Sequence, residues 1–180
     1  MVAQAGIGQG RAERAIVRVA SLVAVPWANG GGVTRVMVDR LGAFRLSLAT
    51  IDGAGPFSRF PGVLRQFALV AGRVDLSGPA PFPVSLDALS PPVTFGGDVP
   101  VHAVPRGGAA LALNLMVPDG APRLRLVRGK GLLDAVAIFA CGPVTVDGVP
   151  LGAHDCMLVD VRVQVLGPVQ VSGPALVVLR

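Results

Sequence analysis

Three short strings of this chain place a polar side chain and a second candidate two residues apart within apolar sequence. Arg45 and Ser47 sit in Phe44-Arg45-Leu46-Ser47-Leu48-Ala49, Arg65 and Phe67 in Arg65-Gln66-Phe67-Ala68-Leu69, and Asn114 and Met116 in Leu113-Asn114-Leu115-Met116. A spacing of two puts both side chains on one face of a β-strand. If those faces turn inward, they give a cavity a guanidinium, a hydroxyl and an amide among apolar side chains. Such a set suits a small carboxylate, because arginine offers a planar fork of donors to two carboxylate oxygens. With Trp27, Asn29 and Phe57 from the glycine-containing segments nearby, the ligand-binding candidates are Trp27, Asn29, Arg45, Ser47, Phe57, Arg65, Asn114 and Met116. Structural roles compete at each. Arg45 or Arg65 could bridge to Asp75 or Asp98, Phe67 and Met116 could be plain core, and Trp27 could anchor a turn by packing. Asn29 is placed to cap the backbone of the glycine turn beside it.

Two glycine-centred blocks frame these residues. The first is Pro26-Trp27-Ala28-Asn29-Gly30-Gly31-Gly32-Val33-Thr34-Arg35, the second Gly55-Pro56-Phe57-Ser58-Arg59-Phe60-Pro61-Gly62. The run Gly30–Gly32 lacks the Lys-Ser/Thr of a P-loop and leads into a strand rather than a helix. Its expected role is close passage of the backbone across a barrel entrance, so Gly31→Val should disturb folding or binding. Ser58 reads as a turn hydroxyl, with no His-Asp pattern to make it a nucleophile.

The elements that must position these groups are strands. The apolar runs are short, rich in Val and Leu, and cut repeatedly by Gly and Pro, the pattern of an all-β sandwich or barrel. Expected strands are Ile16–Val25, Thr34–Asp39, Phe44–Ile51, Arg65–Ala71, Val74–Leu76, Leu111–Val117 and Leu124–Val127. A second series runs Asp134–Cys141, Val144–Val146, Cys156–Val159, Val163–Leu166 and Ala175–Leu179. The Pro-dense stretch Gly78–Pro92 is a connector that cannot sit in a central strand. A rough repeat relates residues 65–76 to 135–146, each a strand, a glycine turn and a returning strand.

Composition narrows the partners. Of 180 residues, 52% are hydrophobic and 15% charged, which argues against wholesale disorder, yet no apolar run is long enough to span a bilayer. Residues Met1 to Arg14 read as a loose tail on a cytoplasmic protein. The net charge of +5 comes from scattered arginines, with Lys130 the only lysine, so no phosphate track forms and no nucleic-acid partner is expected. Cys141 and Cys156 lie in strand-like sequence without CxxC spacing and read as buried free thiols.

The two glycine blocks together resemble the HutD/Ves family of small bacterial proteins. Phe44-Arg45-Leu46-Ser47-Leu48-Ala49, Phe95-Gly96-Gly97-Asp98-Val99-Pro100 and Leu113-Asn114-Leu115-Met116 follow in family order. The resemblance implies an all-β double-stranded β-helix, or jelly roll, with two cupin modules in one chain. The implied division is a tail over 1–15, a first module over 16–125 and a smaller second module over 126–180. The family usually has a basic residue where Ala28 stands, an acidic one at Val36, and Asp at Ala54, Leu64 and Ala112. Metallocupins use a His-x-His pair with a downstream Glu and a further His. This chain has no such pair, its only Glu is Glu13, and His102 and His154 fall in different modules. No metal or other cofactor is therefore expected, with His102 exposed in a loop and His154 in a turn.

The leading functional expectation is a metal-independent cupin that binds a small anionic metabolite in a regulatory or auxiliary role. The resemblance implies a link to histidine utilisation or stress response, and by that route alone a formylated or formimino glutamate derivative as ligand. A metal-free isomerase or lyase is the weaker alternative, since a general acid or base would have to be His102, His154 or an Asp such as Asp98. A β-scaffold that binds a partner without ligand is the third, and the apolar content leaves room for a homodimer.

Overall fold

The computed structural model describes residues 14–159 and 168–180. Residues 1–13 of the expected tail and the strand expected over Val163–Leu166 lie outside the described residues. Among the described residues the chain forms nineteen short strands and one 3-10 turn, and no helix is long and apolar enough to cross a membrane.

The described strands form four antiparallel sheets, stacked one on another. A six-stranded sheet, called here the cavity sheet, orders its strands Val25–Pro26, Gly32–Arg40, Phe44–Ile51, Ala110–Pro118, Val63–Ala71 and Val93–Gly96. Alternation along these strands decides which core each residue joins. Phe44, Leu46, Leu48, Ala68, Val70, Leu113, Leu115 and Val117 point to one face, where they pack on Val136, Phe139, Leu176 and Val178 of a five-stranded rear sheet. Ile51, Phe67, Leu69, Ala110 and Ala112 point to the other, where they meet Val74, Leu76 and Ala103 of a four-stranded cover sheet. A third core, built on Ile138, Val146, Met157 and Val171, fills the space between the rear sheet and a four-stranded outer sheet.

The expected strand over Ile16–Val25 is broken in three. Ala15–Val17 pairs with Cys156–Leu158 in the rear sheet, Val19–Ser21 turns, and Val25–Pro26 pairs with the Gly32–Arg40 strand. The chain changes sheets within ten residues, so it must turn between them. Ion pairs of Arg14 with Asp147 and of Arg18 with Asp155 flank the first of these strands. The Pro-dense connector contains one strand the pattern did not give, Val84–Asp87, and it lies at the edge of the cover sheet, where proline is tolerated. The strand at His102–Pro105 was also unforeseen, and it places His102, exposed, on a strand rather than in a loop.

Polar ties join the cavity and rear sheets. The buried Gln66 amide donates to the Leu124 carbonyl at 2.7 Å and accepts from the Leu126 N–H at 2.7 Å. Arg128 reaches back to the carbonyls of Leu69 at 2.6 Å and Ser90 at 2.9 Å. Both cysteines are free, Cys156 buried and Cys141 half-buried. Burial pushes the Cys156 thiol up to about 12 and raises Cys141.

Candidate functional site

The strand registers bring the two-residue spacings together. Ser47 lies opposite Val36 on one side and Asn114 on the other, and Asn114 lies opposite Phe67. One rung along, Met116 stands between Arg45 and Arg65. These rungs form part of the wall of a cavity of about 260 Å³, closed by Trp27 and Phe57 from the two glycine blocks. Of the sequence-derived candidates, Trp27, Arg45, Ser47, Phe57, Arg65, Asn114 and Met116 line it; Asn29 does not.

Arg65 is the electrostatic centre. It is 5% exposed, yet no carboxylate pairs with it among the described residues. One terminal nitrogen donates to the Asn114 Oδ1 at 3.0 Å and the other to the Ser58 carbonyl at 3.2 Å, while its Nε is buried without a partner. The rings of Phe57, Phe60 and Phe95 stand 5.1, 5.6 and 5.1 Å from the guanidinium carbon, within cation–π range. Burial draws its pKa down from the ordinary arginine value to about 10, which leaves it a cation at neutral pH. The expected alternative, a bridge to Asp75 or Asp98, is not made: Asp75 is held by Arg106 at 2.7 Å and the Ser85 hydroxyl at 2.7 Å. Arg45 sits at the mouth, its side chain 32% exposed and 3.8 Å from the Asp39 carboxylate, too far for a hydrogen bond. Its Nε also lacks a partner.

The glycine blocks fold as two interlocked loops. Gly30 takes a left-handed φ of +69°, and its N–H bonds to the Trp27 carbonyl at 3.0 Å. The close approach falls at Gly32 rather than Gly31. A Cβ on Gly32 would lie 2.1 Å from the Thr50 carbonyl oxygen, whereas one on Gly31 would meet nothing closer than the Asn29 side chain at 3.3 Å. Asn29 belongs to this scaffold: Oδ1 accepts from the Gly31 N–H at 3.0 Å, and Nδ2 donates to the Pro56 carbonyl at 3.2 Å, tying one loop to the other. Its side chain is spent on backbone groups, which corrects its assignment to the ligand. Trp27 both anchors and walls. Its indole donates to the Thr34 hydroxyl at 2.8 Å, and its ring meets Phe57 edge-on at 6.1 Å. The second loop docks on the Phe95–Pro100 turn, where a Cβ on Gly97 would lie 2.2 Å from the Phe60 carbonyl oxygen. That glycine lets Phe60 close over Arg65.

Phe60, Thr34 and Val36 line the cavity without having been singled out for it. Thr34 and Val36 carry the period-two signal and were readable from it; Phe60 depends on loop docking and was not. His154 takes a turn with φ +68° and stacks on Phe139 at 6.0 Å. Neither histidine nor Asp98 lines the cavity. Among the described residues no three His, Cys, Asp or Glu side chains gather as metal ligands. Of the positions where the resemblance implied a charged residue, Ala28 and Val36 line the cavity, Ala112 is core, and Ala54 and Leu64 are exposed elsewhere.

Comparison with known proteins agrees with this architecture. Residues 19–171 match the sequence model of the HutD family. The protein Ves of Citrobacter koseri is 39% identical over 97 residues, 50% of this chain and 50% of Ves, so the match spans half of that relative. An uncharacterized 21.2 kDa protein of the hutC 3′ region in Pseudomonas putida is 29% identical over 180 residues, 88% of this chain and 92% of its own. The structure of HutD from Pseudomonas fluorescens SBW25 in a formate condition superposes with a TM-score of 0.80 at 28% identity, covering 93% of this chain and 97% of that one. The fold is all-β and cupin-like, a jelly roll, and the extent of the match makes this chain a member of the HutD family.

Proposed function

We propose that this protein binds a small carboxylate in the cavity between Trp27 and Arg65, without a metal, in a regulatory or auxiliary role connected with histidine utilisation. The observation that carries the reading is Arg65, a buried cation with no carboxylate paired to it among the described residues. Burying an unpaired charge is costly, and an anion from solution would offset that cost while using the guanidinium donors that Asn114 and Ser58 leave free. Ser47 and Asn114 share the wall and are placed to serve a second polar atom of the ligand. Among the described residues no His, Asp, Glu or Cys lines the cavity, which favours binding over acid–base catalysis. The relative in the hutC 3′ region supports the metabolic connection. We further read the paired sheets as two fused cupin modules, 16–125 and 126–180, in a cytoplasmic protein able to form a homodimer.

Thermal unfolding with formate, acetate and larger carboxylates, each with chelator and divalent-metal controls, tests this. A ligand specific for the folded state at one hundred times its Kd adds about 2.7 kcal/mol of stability. The expected result is a higher Tm with a carboxylate, unchanged by chelator and lost in Arg65→Met. No shift with any carboxylate, or a shift with a metal alone, overturns the reading.

A further inference from the structure

We infer that the ligand is a carboxylate of single negative charge with an apolar, flat body, and that Asp39 enforces the single charge. This rests on the carboxylate-binding reading above and narrows its substrate class. The charged residues lining the cavity are Arg45 and Arg65, and Asp39 faces Arg45 at 3.8 Å. Arg45 thus has a carboxylate beside it at the mouth, whereas among the described residues none pairs with Arg65. The site therefore calls for one negative charge at Arg65, and a second carboxylate near Arg45 would also meet the Asp39 carboxylate.

The rest of the wall agrees. The chain has seven Phe, one Trp and no Tyr, and four of these eight rings (Trp27, Phe57, Phe60 and Phe67) line this one cavity. Phe57 stands edge-on to Trp27 and at 41° to Phe67, so the rings present both edges and faces to whatever lies between them. Ala28 and Val36 add apolar surface where a charged side chain would have offered a second carboxylate or amino group a partner. At about 260 Å³ the space falls below the roughly 300–1,000 Å³ of sites for drug-sized ligands, which suits a single ring or short unsaturated chain. A glutamate derivative with two ionised carboxylates fits this charge balance poorly, so the site of this chain is narrower than the resemblance implied.

Calorimetric titration at neutral pH with formate, benzoate and glutarate tests the inference. The expected order is benzoate tightest, with glutarate weaker by at least about tenfold in Kd. Asp39→Asn, at a side chain 63% exposed, uncovers Arg45 and should tighten glutarate by about threefold to fivefold while leaving benzoate within about twofold. Glutarate binding as tightly as benzoate, or Asp39→Asn leaving glutarate unchanged, overturns the inference and leaves the carboxylate site standing. If none of the three binds, the carboxylate reading fails and the inference with it.

Discussion

Arg65→Met separates a binding arginine from a structural one, because the two roles predict opposite effects on the empty protein. The fall from the ordinary arginine value to about 10 means that burial disfavours the folded cation by ~3 kcal/mol, at about 1.36 kcal/mol per pKa unit. The proton is held less tightly in the folded protein than in the unfolded chain. This penalty is therefore fully present below about pH 10 and is relieved as pH rises from about 10 towards the ordinary arginine value. Methionine removes it, keeps apolar contact with Phe57, Phe60 and Phe95, and forfeits the bonds to Asn114 and Ser58, at about 1 kcal/mol each. The balance leaves the ligand-free variant as stable as wild type or ~1 kcal/mol more so, a rise in Tm of up to about 4 °C. Carboxylate binding should weaken on the order of a hundredfold, since the variant lacks the buried cation of the pair. Urea unfolding and thermal scans, with and without benzoate, read both effects. An Arg65 that braces the fold would instead lose about 3–5 kcal/mol on substitution, and that result, or benzoate affinity retained in the variant, would refute the reasoning.

The glycine turn gives an asymmetric pair: Gly32→Ala drives its Cβ into the Thr50 carbonyl and should cost at least about 3 kcal/mol, while Gly31→Ala should stay within about 1 kcal/mol of wild type by urea denaturation. Because a carboxylate ligand needs Arg65 charged, affinity should be flat around neutral pH and fall as pH rises through about 10, measured by calorimetry in a pH series. Gln66→Leu strands the Leu124 carbonyl and the Leu126 N–H between the two sheets. It should lower stability by about 1–3 kcal/mol without changing benzoate affinity, so equal loss of both would mean that the sheet junction also shapes the cavity.

Strand periodicity carried most of the cavity wall into view. Arg45, Ser47, Arg65, Phe67, Asn114 and Met116 could be placed on common faces because a strand's side chains alternate strictly, and antiparallel registers keep neighbouring faces aligned. What stayed hidden depends on contacts between distant parts of the chain. Nothing local marks Asn29 as reaching the Pro56 carbonyl, or Gly32 rather than Gly31 as the residue pressed against Thr50. The break after Val17 was equally invisible, because the sequence of Ala15–Val17 fits any strand and its partner, Cys156–Leu158, lies far along the chain. The lone charge of Arg65 could not be read either. Whether Asp75 or Asp98 would meet it was a question of packing, and the fold gives Asp75 to Arg106 and a ring cage to Arg65.

The most direct test is a crystal structure with 4-bromobenzoate, located by the anomalous signal of bromine. The account predicts one bromine peak inside the cavity, with the carboxylate oxygens about 2.7–3.0 Å from Arg65 nitrogens and the ring among Trp27, Phe57 and Phe67. A bromine seated only on exposed arginines such as Arg123 and Arg125, with the cavity holding none, would contradict it.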